Sequence, residues 1–140
     1  MRKTRILLAD DHQLMRSGLR LLIEQQPDLT VVGEAANGRE AVALAKTLRP
    51  DVAVMDISMP NLNGIEAAHQ IKQSHAEIAV IVLSMHSDES YVLRALRAGA
   101  KGYLLKTDAG KELWPAIEAV LQNKQYLSHA LRGLHSATIN

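Results

Sequence analysis

The chain has 140 residues, 47% of them apolar, which is the length of one domain and enough apolar material for a single core. Its formal net charge of +1 is too weak to argue for nucleic acid or anionic lipid, and the absence of cysteine excludes disulfides and zinc–thiolate sites while fitting a reducing compartment. The opening MRKTRILLADD is interrupted by two aspartates too early for a signal peptide, and no stretch approaches the ~20 apolar residues of a membrane span, so a cytoplasmic protein with no membrane partner is expected.

Short apolar runs alternate with helix-period segments, the pattern of βαβ units and a parallel sheet. A first strand falls near Arg5–Ala9. Helix one, about Gln13–Gln26, carries Met15, Leu19, Leu22 and Ile23 on one stripe and stops before Pro27. After a strand near Thr30–Ala35, Asn37 offers an N-cap to helix two, about Gly38–Leu48, which ends before Pro50. Strand three is near Val52–Met55, helix three about Ile65–Ser74, strand four near Ile78–Leu83 and helix four about Glu89–Ala98, with Gly99 as its left-handed terminator. Strand five, Gly102–Leu105, precedes helix five, where Leu113, Ala116, Ile117, Val120 and Leu121 form an i, i+3, i+4, i+7, i+8 stripe. Pro115 lies inside that helix and removes a backbone donor, so a late start or a bend is expected; its neighbour Trp114 is off the stripe and is expected at the surface. Residues 125–140 fall outside the alternation. Right-handed crossovers make this a doubly wound five-stranded α/β sheet with helices on both faces.

Five polar residues stand where these apolar runs stop: Asp10 and Asp11 after ILLA, Asp56 after VAVM, Ser84 after IAVIVL and Lys106 after GYLL. In a parallel α/β sheet the residues past the strand carboxyl ends converge on one crevice. Three carboxylates gathered there repel one another and move toward protonation unless a cation joins them. Oxygen ligands with an ammonium and a hydroxyl nearby suit Mg²⁺ carrying a phosphoryl group. The six histidines show no spacing typical of metal ligands, and Gly64 and Gly102 read as glycines placed for backbone conformation.

The runs LLADDH at 7–12, VMDISMPNLNG at 54–64, VLSMH at 82–86 and GAKGYLLK at 99–106 resemble the receiver domain of two-component response regulators. Within that family ADDHQLMRSGL at 9–19 and KGYLLK at 101–106 resemble the LuxR-type transcription regulators. The likeness covers residues 3–124. It implies a flavodoxin-like sheet of order 2-1-3-4-5, an order taken from the fold class and not from these residues. It further implies Asp56 as phosphoacceptor for a sensor histidine kinase and Mg²⁺ held by Asp10, Asp11, Asp56 and the Ser58 backbone carbonyl. Lys106 would neutralise a phosphoryl oxygen and Ser84 would donate its hydroxyl to another. The Tyr103 ring would move inward into the space that Ser84 vacates, and Ser58 and His86 would tune the rate at which water reaches the acyl phosphate.

The resemblance also implies a phosphorylation-dependent change on the face of helix four, strand five and helix five, and homodimerisation either there, near Trp114, or on helices one and five. Residues 125–140, with YLSHAL at 126–131, resemble the opening of an interdomain linker, so DNA would be bound only through an output domain absent from this chain. Thr107 follows Lys106 where most receivers have a cis proline, so a trans bond or a strained exception is expected. Two readings from other classes are weaker. A phosphatase of the haloacid-dehalogenase type needs an acid two residues after the nucleophile, where Ser58 stands, and a dinucleotide-binding domain needs a glycine-rich turn where DDHQLMRSG stands. A degenerate receiver acting only as an interaction module would be missing site residues, and none of the five is missing.

Overall fold

Strands covered on both faces need no polar alternation, which is why the apolar runs of this chain can be nearly continuous. In the computed structural model, which describes residues 3–133, the strands are β1 (Thr4–Ala9), β2 (Leu29–Ala35), β3 (Val52–Asp56), β4 (Ala79–Ser84), β5 (Gly102–Leu105) and β6 (Tyr126–Leu127). All are parallel, in the order β2-β1-β3-β4-β5-β6. The helices between and after them are α1 (Gln13–Glu24), α2 (Gly38–Leu48), α3 (Gly64–Ser74), α4 (Glu89–Arg97) and α5 (Ala109–Leu121). The expected 2-1-3-4-5 order holds, with one strand added at the edge.

Successive strand residues point to opposite faces, and the sheet sorts its core accordingly. Leu7, Ala9, Ala53, Met55 and Tyr103 join α2, α3 and α4 on one side. Ile6, Leu8, Val52, Val54 and Leu104 join Leu19 and Ile23 of α1 and Leu113, Ala116 and Ile117 of α5 on the other.

Local chemistry accounts for the helix ends. Asn37 Oδ1 accepts the Glu40 N–H at 2.9 Å while the Glu40 carboxylate accepts the Ala36 N–H at 2.9 Å. Asn63 caps α3 in the same way through Glu66 N–H. Gly99, at φ +110°, ends α4 as expected. The bond between Lys106 and Thr107 is trans, and Lys106–Asp108 form a 3-10 turn that leads directly into α5.

Three expectations need correction. Of the late start or bend expected for α5, the late start is excluded: the helix begins at Ala109 and carries Pro115 within it. Lys111, whose carbonyl loses the proline's N–H, and Pro115 are both exposed, so water can take the vacant acceptor. Trp114 is not a surface residue; it is half-buried against the α1 and α5 side of the core, and lines the crevice beside Leu22 and Leu113. Finally, part of the segment expected to open a linker packs on the sheet as β6, paired Gly102↔Tyr126 and Tyr103↔Leu127. Two residues carry no readable periodicity, so only the free edge of β5 selects them. The remainder of that expected tail, 134–140, lies outside the described residues.

Candidate functional site

Because β1 and β3 are neighbours, with Ala9 paired to Met55, the residues that follow them emerge side by side. Asp10 and Asp56 are both buried there. Lys106 leaves β5 and reaches across β4, placing Nζ 2.8 Å from Asp56 Oδ2 and 3.6 Å from Asp10 Oδ2. Asp56 Oδ1 accepts the Ser58 N–H at 3.2 Å, and Asp10 Oδ1 accepts the His12 N–H at 2.8 Å. The second Asp10 oxygen is buried without any hydrogen-bond partner. One donor atom from each of Asp10, Asp11, His12 and Asp56 falls within 4.8 Å of all the others.

Gly64 is needed at this site for room. A Cβ there would lie 2.2 Å from the Asp56 carbonyl oxygen, so only a glycine lets the start of α3 approach the end of β3. Its φ is not positive, which corrects the conformational reason expected from the sequence.

Burial pushes the Asp56 carboxyl above its usual range, and the Asp10 charge adds to this, while the hydrogen bond and charge of Lys106 oppose it. Burial works to lower the Lys106 ammonium, but the hydrogen bond to Asp56 and the Asp56 and Asp10 charges outweigh it and raise it. A raised carboxyl in the folded state binds protons that the unfolded chain has lost, so its contribution to stability falls as pH rises from the ordinary carboxylate value through the folded one. The raised Lys106 contributes stability in full below its ordinary value, and loses it only as pH rises through the still more alkaline folded value. At neutral pH, therefore, the ionised Asp56 is a net cost. Asp56→Asn should raise stability by about 1 kcal/mol at neutral pH without metal, and by less in acid, where the parent carboxyl is protonated. Calorimetry of both proteins across that range checks this; a lower midpoint for the variant at neutral pH would mean that Lys106 outweighs burial.

Ser84, at the end of β4, accepts the His86 N–H on its hydroxyl oxygen at 2.8 Å. The Tyr103 ring is already inside, fully buried in the core, and its hydroxyl donates to the His86 carbonyl at 2.7 Å. This corrects an expectation of inward movement from this state: the register of β5 points Tyr103 at the α4 side, and the His86 carbonyl satisfies its polar end. Burial raises the phenol above its ordinary value. The His86 ring stacks on Tyr91 of α4, with centroids 4.0 Å apart and planes 4° from parallel, and Arg94 lies 5.6 Å from the Tyr91 centroid. Ser58 is exposed beside Asp56.

Asp10, Asp11, Asp56, Ser58, Ser84, His86 and Lys106 thus lie at or just past the strand ends, with Tyr103 behind them in the core. Others were missed. His12 adds Nδ1 3.1 Å from Asp11, and its adjacency to the aspartate pair was the available signal. Arg16 donates to the Asp10 carbonyl at 2.6 Å while Glu34 on β2 holds its Nε at 3.0 Å. No sequence signal connected Arg16 to Glu34; the Tyr91–Arg94 spacing of three was visible, but the stacking on Tyr91 of His86, singled out for another role, was not.

Residues 6–118 match the family model of the response regulator receiver domain. The chain belongs to the response regulator receiver family. This receiver is 42% identical over 125 residues to the transcriptional regulatory protein DegU of Brevibacillus brevis, covering 89% of this chain and 53% of that protein. It is 38% identical over 134 residues to the nitrate/nitrite response regulator protein NarL of Escherichia coli K12, covering 96% of this chain and 62% of that protein. A crystal structure of a LuxR-family two-component response regulator from Aurantimonas sp. SI85-9A1 superposes with a TM-score of 0.92 at 37% identity, over 99% of both chains. The receiver is therefore of the LuxR type, a regulatory domain rather than a metabolic enzyme, and the chain spans between half and two thirds of these curated relatives. No helix among the described residues is long and apolar enough to cross a membrane.

The cluster could hold a metal ion: three of its four donors are hard carboxylate oxygens, and the Asp10 oxygen without a hydrogen-bond partner is the kind of buried acceptor that a cation or its water satisfies.

Proposed function

We propose that this receiver accepts a phosphoryl group on Asp56 from the phosphohistidine of a sensor histidine kinase in the cytoplasm, and that its phosphorylation controls a DNA-binding output in the full-length protein. The observation that carries this is a buried Asp56 held by Lys106 at 2.8 Å beside an Asp10 oxygen with no hydrogen-bond partner. An Asp56 oxygen attacks phosphorus; its bond to phosphorus forms as the bond from phosphorus to the donor nitrogen breaks. Lys106 opposes the burial that pushes Asp56 toward protonation, favouring the ionised nucleophile, and meets a phosphoryl oxygen afterwards. Asp10, Asp11, Asp56 and the Ser58 carbonyl would hold Mg²⁺, which supplies charge neutralisation for the transferring group.

Ser84 drives the switch on this reading. Its oxygen accepts from His86 and its side chain also meets the Tyr103 phenol, from which its proton would turn to a phosphoryl oxygen. Turning toward that oxygen removes the acceptor of the His86 N–H. The His86 carbonyl holds Tyr103 and its ring holds Tyr91, so the displacement spreads to the face of α4, β5 and α5. His86 and Ser58 then govern water at the acyl phosphate. His86→Ala should shorten the phospho-form half-life severalfold and Ser58→Ala should lengthen it, both still being phosphorylated; decay assays showing one common rate would refute these roles.

The phosphorylated receiver would pair as an isologous homodimer. The apolar surface favours α1 and α5 for this contact: Leu14 is 88% exposed, and a groove of about 530 Å³ runs past Met15, Gly18, Leu22 and Gly110 to Lys106. Half-buried Trp114 no longer points to the α4 face. Sedimentation should show dimers with beryllofluoride, which mimics the phosphoryl group, and monomers without it, and Leu14→Asp should remain monomeric in both. A Leu14→Asp protein that still dimerises would move the interface elsewhere.

A further inference from the structure

The short strand β6 ends against the most sensitive part of β5. Ser128 is fully buried; its N–H donates to the Tyr103 carbonyl at 3.0 Å and its hydroxyl oxygen accepts the Leu105 N–H at 2.9 Å. Leu105 is the residue immediately before Lys106, and Tyr103 is the residue whose hydroxyl holds His86. One serine thus grips the strand end from which the site lysine departs.

The rest of the segment is built to stay seated. Leu127 and Leu131 are buried in the same core cluster as Tyr103. On the outer side Glu112 of α5 accepts the Tyr126 hydroxyl at 2.8 Å and lies 3.0 Å from His129 Nδ1. The Arg132 guanidinium lies 5.1 Å from the Tyr126 ring centroid, and its Nε donates to the Leu127 carbonyl at 3.1 Å. A passive spacer needs neither a buried serine in the sheet ladder nor a polar clasp of Glu112, Tyr126, His129 and Arg132.

We propose that the segment 126–131 is a latch whose seating on β5 is coupled to the state of Asp56, with Ser128 positioning the strand end that carries Lys106. The proposal rests on the reading of Asp56 as phosphoacceptor. When Lys106 is drawn to a phosphoryl oxygen by a charge-assisted bond, the end of β5 is held more firmly and the Leu105 N–H stays on Ser128 for longer. Coupling is reciprocal, so loosening the latch weakens the site's hold on the phosphoryl group by the same factor. The chain beyond Leu131 then leaves from a point that senses phosphorylation directly, without waiting for movement of α4.

Amide hydrogen exchange at Leu105 and Ser128 and the affinity for beryllofluoride with Mg²⁺, both read by NMR, test this. Beryllofluoride should slow exchange at both amides in the parent. Ser128→Ala should bind it about fivefold more weakly; Glu112→Gln, which keeps the buried serine and loosens only the outer clasp, should bind it less weakly than that but still below the parent. The second variant carries the test if the first fails to fold. A parent that binds beryllofluoride with unchanged exchange, together with equal affinity in the variants, would eliminate the latch and leave the phosphoacceptor reading standing. A parent that does not bind it at Asp56 would overturn both.

Discussion

With acetyl phosphate and Mg²⁺ the parent protein should gain a single phosphoryl group and Asp56→Asn none, a complete loss that intact-mass spectrometry reads directly. The reason lies in the geometry around the site. Asp10 is as buried as Asp56 and each accepts one backbone N–H, but the Lys106 ammonium lies 3.6 Å from Asp10 Oδ2 against 2.8 Å from Asp56 Oδ2. An amide in place of the Asp56 carboxylate keeps the shape and removes the nucleophile, so no other carboxylate stands ready to take over. Single phosphorylation persisting in Asp56→Asn would reassign the phosphoacceptor. The same substitution is expected to stabilise the fold, so lost phosphorylation could not be blamed on unfolding.

Removal of Asp11 should have the next largest effect. It is the accessible one of the cluster's three carboxylates, with a side chain 31% exposed, and it stands where an ion arriving from water first finds a charged oxygen. Of the three carboxylates proposed to hold Mg²⁺, removing Asp11 leaves the two buried ones, and of these Asp56 is tied to Lys106 at 2.8 Å. Asp11→Ala should therefore bind Mg²⁺ at least about tenfold more weakly by calorimetric titration, a change of ~1.4 kcal/mol. His12→Ala should alter Mg²⁺ affinity little, because a hard cation prefers oxygen to imidazole. The reverse ranking, with His12 mattering more than Asp11, would point to a softer transition metal.

The elements came out of the sequence well because each rests on local physics. Apolar runs too short for helices alternate with 3.6-residue stripes, Asn37 and Gly99 punctuate helices by capping and by left-handed geometry, and a parallel sheet follows from the alternation. The site residues were legible for a related reason: in such a sheet the position just past each strand is also a position in the crevice, so the sequence alone places Asp10, Asp56, Ser84 and Lys106 together. The strand order, by contrast, was supplied by likeness to a family; hydrophobic periodicity does not say which strand lies beside which.

What remained hidden depends on contacts between residues distant in the chain. Tyr126–Leu127 has no periodicity of its own and becomes a strand only because β5 offers an unpaired edge. Gly64 looked like a glycine of convenience until the Asp56 carbonyl was found against it. Trp114, off its own helix's stripe, is covered because α1 packs alongside α5. Composition, periodicity and chain-local caps by themselves determined the elements, the class of sheet and the residues at its rim. The extra strand, the burial of Tyr103, the place of His12 and Arg16 and the grip of Ser128 were decided only in the tertiary structure, because each is a hydrogen bond or packing contact whose partner the local chain does not contain.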